Sequence, residues 1–190
     1  VYSKLQSYLD GRIFIALVGP RGAGKSVMLK QIHNSSAASF YISLDSGAGL
    51  RLFETARELS QNGVRLLLLD EIHSYPNYGA ELKKIYDFVP TLKVIFTSSS
   101  AISLHDASYD LSRRVRLVSV PPFSFREFLW FAHSQEFPPI SWKSLLSLTD
   151  CRKYYGLAMH AETCFKAYLN GGNYPFSMGE PEPLPIFQNM

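Results

Sequence analysis

Cysteine is nearly absent: the 190 residues hold two, Cys151 and Cys164, both in a stretch with helical patterning. Two thiols so placed suggest neither a disulfide framework nor a metal site, and they are expected to be free in a reducing cytosol. Charge is also sparse. Charged residues make up 18% of the chain and the net charge is +3, a mild balance that decides nothing about nucleic acid. No apolar run approaches the roughly eighteen residues needed to cross a bilayer. No repeat of solenoid period appears, and no signal peptide is recognisable. The chain starts at Val1 rather than Met, so a trimmed amino terminus is expected. A guanine-specificity motif of the N-K-x-D kind is missing, which argues against a dedicated GTPase. The 46% of hydrophobic residues suffice, at this length, for one globular unit with a sizeable core.

What is there is more specific. Gly19-Pro20-Arg21-Gly22-Ala23-Gly24-Lys25-Ser26 fits the phosphate-binding pattern G-x-x-x-x-G-K-[ST] at every fixed position. A β-like run, residues 12–18, precedes it, and a helical pattern through Val27, Met28, Leu29 and Ile32 follows. A strand feeding a glycine-rich loop that opens a helix aims backbone N–H groups and the positive end of the helix dipole at one point. Phosphate fits there. The segment from Gly19 to Val27 is therefore the expected nucleotide-binding loop, with Lys25 reaching the β/γ-phosphates and the Ser26 hydroxyl ligating Mg²⁺.

Val64-Arg65-Leu66-Leu67-Leu68-Leu69-Asp70-Glu71 is a second signal. Its short, continuous apolar run reads as a strand buried on both faces, as in a parallel sheet. Acids at the carboxyl end of such a strand reach the crevice where open α/β sheets bind ligands. Asp70 is expected to hold Mg²⁺ through its water shell, the Walker B role, and Glu71 to take a proton from a water aimed at the γ-phosphate.

The rest of the chain alternates. Residues 2–10 look helical. Strands are expected over 12–18, 39–44, 64–69, 92–97 and 115–120, with helices to about Asn34, over 52–61 and over 78–89, where Pro90 ends the pattern. This predicts an α/β fold: a P-loop NTPase sandwich of three layers, αβα, around a parallel five-stranded sheet. Helical patterns at 124–131, 142–149 and 153–169 follow.

From Leu69 to Asn77 the sequence Leu-Asp-Glu-Ile-His-Ser-Tyr-Pro-Asn resembles the L-D-E-[IV]-H-x-x-P-[ND] signature of uncharacterised AAA+-type P-loop ATPases of bacteria and archaea. The likeness continues through residues 41–45, 94–100 and 110–114, and through Pro122-Phe123-Ser124-Phe125-Arg126-Glu127-Phe128, similar to the family's P-x-S-F-R-E-[FY]. Phe165, Tyr168, Leu169, Gly171, Gly172, Tyr174, Pro175 and Phe176 resemble its F-x-x-Y-L-x-x-G-G-[FY]-P-F. The family often has Gly where Ser98 stands.

The resemblance implies further roles. A polar residue at the tip of the fourth strand is the sensor-1 position, which orients the attacking water; Thr97 and Ser98 occupy the tip, and Ser98 is favoured over the alternative of a helix cap or serine-rich turn. Arg114, just before the fifth strand, takes the place of an arginine finger acting on a neighbouring subunit, against the alternative of a surface arginine beside Arg113 and Arg116. His73 is expected to fix the turn before Pro76, with no chemistry. Residues 1–134 are the expected AAA+-like core and 135–190 the start of a helical lid, cut short where a winged-helix-like region and an extra domain would follow.

The activity implied is Mg²⁺-dependent hydrolysis of ATP to ADP and phosphate, driving conformational change in a client macromolecule. The alternative is a slow nucleotide-gated switch, and a small-metabolite kinase is a distant third. Homo-oligomers through Arg114 are implied. DNA is a partner only through the family's C-terminal parts, because no basic face interleaved with aromatics is legible here.

Overall fold

The computed structural model describes residues 5, 7–45, 49–99, 111–134, 136, 141–147 and 161–175. The chain forms two compact units, Val1–Pro121 and Pro122–Met190.

The first unit is built on five parallel strands: β1 (Phe14–Val18), β2 (Ser39–Ser43), β3 (Leu66–Asp70), β4 (Lys93–Ser98) and β5 (Val115–Ser119). Their order is β2-β3-β4-β1-β5, so β4 is the middle strand, between the strand that feeds the loop and the strand that ends in acids. Among the described residues between the strands lie the helices α1 (Lys25–Asn34), α2 (Leu52–Gln61) and α3 (Tyr78–Phe88). β1 and β3 are buried along their whole length, which is why both read as unbroken apolar runs.

Strand alternation sorts the core into two layers. Phe14, Ala16, Leu67, Leu69, Val94 and Phe96 pack with Leu52 and Ala56 of α2 and with Leu82 and Ile85 of α3. Ile15, Leu17, Leu66, Leu68 and Ile95 face the other way, onto Leu29 and Ile32 of α1. The sheet is thus covered on both faces, and the expected αβα sandwich is present.

Within the helix expected over 2–10, Leu5 is helical but residues 7–10 are turns. Lys93 explains this. Its ammonium donates to the carbonyls of Tyr8 (2.9 Å), Gly11 and Ile13, and a continuous helix would not aim these carbonyls at one point.

In the second unit, α4 (Phe125–His133) starts at a capping box. Ser124 accepts from the Glu127 N–H, and the Glu127 carboxylate accepts from the Ser124 N–H at 2.8 Å. Phe125, Phe128, Phe165 and Tyr168 cluster around it. Gly172 lies so close to Phe128 that a Cβ there would stand 2.5 Å from the ring. Two further helices are α5 (Trp142–Leu145) and α6 (Ala161–Ala167), the latter running into a π turn over Tyr168–Gly172. Cys164 is a free thiol; Cys151, Phe176 and residues 148–160 of the expected helices lie outside the described residues.

Candidate nucleotide site

The loop leaves β1 at Gly19, whose N–H reaches the carbonyl of Ser98 at 3.4 Å. A Cβ at Gly19 would sit 2.0 Å from the Val120 carbonyl oxygen, so the loop can thread between β4 and the chain beyond β5 only as glycine. Gly22 and Gly24 take φ of 77° and 89°, left-handed values that turn the backbone inward. Gly24 is the N-cap of α1 and supplies no side-chain cap. The first helical bond runs from the Met28 N–H to the Gly24 carbonyl at 3.0 Å. The N–H groups of Lys25, Ser26 and Val27 precede it and have no intrahelical acceptor. They form an anion cradle.

Lys25 is 4% exposed. Its ammonium donates to the carbonyls of Gly19 and Pro20, each at 2.8 Å. Burial pushes the ammonium below its ordinary range, while the Glu71 and Asp70 carboxylates draw it back up. A buried cation facing two acids across a cradle of N–H groups is suited to phosphate oxygens.

Asp70 is buried at the end of β3, with both oxygens engaged. Thr97 Oγ1 donates to Oδ1 at 2.5 Å and Tyr41 Oη to Oδ2 at 2.8 Å. Burial, reinforced by the bond to Asp70, holds the Tyr41 phenol well above its usual range. Glu71 follows in a left-handed conformation, φ 54° and ψ 54°. Its N–H donates to Thr97 Oγ1 at 2.8 Å, so one hydroxyl ties both acids to β4. Glu71 Oε2 is buried without a hydrogen bond. His73 Nδ1 stands 3.3 Å from it, within ion-pair distance but not aligned as a hydrogen bond. Ser26 is half-buried at the opening of α1. Ser26 and Asp70 are the groups suited to Mg²⁺, one a hydroxyl and one a carboxylate.

At the tip of β4 the structure brings Thr97, rather than Ser98, to the acids. Ser98 is fully buried and pairs with Val18, and alternation puts its side chain on the face of Phe96, away from α1. Tyr41 was not anticipated as part of the site. Its position in β2, paired with Leu68, was the available signal, since it lies one strand from the acids.

Arg114 is elsewhere. Its carbonyl accepts from the Phe14 N–H at 2.8 Å, at the start of β1, while the loop begins past the other end of that strand. Five residues of strand separate them by roughly 15 Å. The guanidinium grips Asp87 through Nε and Nη2, each at 3.1 Å, and lies 5.6 Å from the Tyr86 ring centre. A role at the chain's own nucleotide site is out of reach.

Among the described residues no group of three or more His, Cys, Asp or Glu side chains forms a metal cluster, and no helix is long and apolar enough to cross a membrane.

Residues 11–129 match the family described as AAA domain, and the chain belongs to that family. No curated protein matches it in sequence. Among solved structures it is similar to the Walker-type ATPase PABY2304 of Pyrococcus abyssi, with a TM-score of 0.51 and 19% identity over 72% of this chain and 58% of that one. It is similar also to PCH-2 of C. elegans, with a TM-score of 0.51 and 16% identity over 78% of this chain and 48% of that one. The chain therefore spans about half the length of these structures, and the likeness establishes the P-loop ATPase fold.

Proposed function

We propose that this chain binds ATP with Mg²⁺ at the carboxyl end of its sheet and hydrolyses it, using the cycle to move or reorganise a partner macromolecule. The observation that carries the reading is the convergence of the N–H cradle, the buried Lys25 and the acids Asp70 and Glu71 on one strand end. In this reading the N–H groups of Lys25, Ser26 and Val27 and the Lys25 ammonium hold the phosphates. Ser26 and Asp70 would hold Mg²⁺, which when bound supplies positive charge to the phosphate oxygens. Thr97 keeps Asp70 and the Glu71 backbone in place, and Glu71 takes the proton of the attacking water. Arg114, held by Asp87 at the far end of the sheet, is proposed to act on a second copy, giving up that pair as it does so.

Turnover of the wild type against Glu71→Gln tests the chemistry. The variant should keep Mg-ATP affinity and lose on the order of a hundredfold in hydrolysis, the usual contribution of a positioned general base. Equal rates, both barely above background, would instead leave a nucleotide-gated switch.

A further inference from the structure

We propose that His73 is the positioning residue for Glu71: its Nδ1–H holds carboxylate oxygen Oε2 so that the other oxygen, Oε1, is presented to the attacking water. This rests on the general-base reading above and deepens it.

The turn after β3 brings the two side chains together. Glu71 adopts a left-handed backbone, which is strained for a non-glycine residue and must be held by its surroundings. Thr97 Oγ1 accepts its N–H, and its carbonyl accepts the Ser74 N–H at 3.0 Å, closing a one-turn 3-10 helix over Ile72–Ser74. Ile72 is fully buried and anchors that turn. The imidazole then folds back to 3.3 Å from Oε2.

The two acids are treated differently. Asp70 has both oxygens taken, by Tyr41 and Thr97. Glu71 Oε2, by contrast, is buried without a hydrogen bond, and His73 Nδ1 lies 3.3 Å from it. A buried carboxylate oxygen without a donor is costly, and the His73 imidazole, 3.3 Å away, is placed to supply one. Glutamate has three side-chain torsions to restrain, and misplacing a reacting group by about 1 Å costs on the order of a hundredfold in rate. With Oε2 held, the step balances as follows. Water oxygen bonds to the γ-phosphorus, its proton passes to Oε1, and the β–γ bridging oxygen leaves with the bond electrons on ADP. His73 neither gains nor loses a proton.

The test compares His73→Ala and His73→Asn in the full chain with Mg-ATP. His73→Ala should lower kcat about tenfold with KM for ATP little changed. His73→Asn, whose amide N–H falls near the Nδ1 position, should recover most of the loss. In a Glu71→Gln background His73→Ala should do nothing further, and the ¹⁵N shift of His73 Nδ1 should move on Glu71→Gln in the wild-type background. An unchanged kcat in His73→Ala, with Glu71→Gln slow, would overturn this inference and leave the general base standing. A full additional loss in the Glu71→Gln background would also overturn it, since the histidine would then only support the turn. Equal turnover in wild type and Glu71→Gln would remove the reading beneath it.

Discussion

Each end of the sheet shelters a lysine whose pKa burial lowers, and the two differ in the charges around them. At the carboxyl end, Lys25 is held by the Gly19 and Pro20 carbonyls of its own loop and interacts with Glu71 and Asp70, which oppose the loss of its charge. At the amino end, Lys93 is stitched to three carbonyls, and burial together with Arg116 lowers its pKa to about 8. The cations around Lys93 are likewise committed within the chain. Arg116 lies 4.2 Å from the Tyr8 ring centre, Arg12 lies 4.6 Å from that of Tyr86, and Arg114 is paired with Asp87. The carboxyl end keeps what a ligand can use: N–H groups ahead of the first helical bond and a lysine balanced by acids. Polar groups satisfied by their own chain hold a fold together; groups left partly unsatisfied mark the place where something binds.

The comparison can be broken most forcefully at Thr97. Thr97→Val removes the donor to Asp70 and the acceptor for the Glu71 N–H, and it should cost about 1–3 kcal/mol of stability by chemical denaturation. Hydrolysis should fall with it, more steeply than for Ser98→Ala, whose side chain lies on the other face of β4. A larger kinetic loss at Ser98 would return the sensor role to that residue.

At the amino end the signature is pH. Lys93 titrates near 8 folded against 10.5 as a free side chain, so between those values the unfolded chain binds more protons. Stability should therefore rise as pH climbs from about 8 to 10.5, and Lys93→Met should remove that rise. An identical slope in the variant would show that the amino-end lysine is not strained by burial.

The smallest effect is expected at Arg114. Its half-exposed pair with Asp87 contributes less than about 1 kcal/mol, so Arg114→Ala should scarcely change melting. As a finger for a second copy it should matter only to turnover: specific activity of the wild type should rise with protein concentration, and the variant should flatten that rise. Mixing Arg114→Ala with Glu71→Gln chains should restore part of the activity. Concentration-independent activity with no rescue would leave Arg114 as part of the saturated amino end.

Much of this was legible in the sequence because the signals are local. The loop, the strand before it and the acids ending β3 are each contiguous, and apolar runs such as 66–69 announce a doubly covered strand. What was not legible depends on pairing. Whether Thr97 or Ser98 meets Asp70 is a matter of one residue of register, which flips every side chain of β4 to the other face. Tyr41 reaches Asp70 only because β2 lies beside β3. The turns at 7–10 come from Lys93, more than eighty residues further along the chain. His73 could be assigned to a turn, but its place beside Glu71 required the left-handed backbone there.

The most direct test of the open carboxyl end is calorimetric titration of Mg-ATP into wild type and Lys25→Ala. The wild type should bind, and the variant, shown by its melting curve to be folded, should have no measurable affinity, because the ammonium neutralises phosphate charge. Equal affinity in the two proteins would contradict the account.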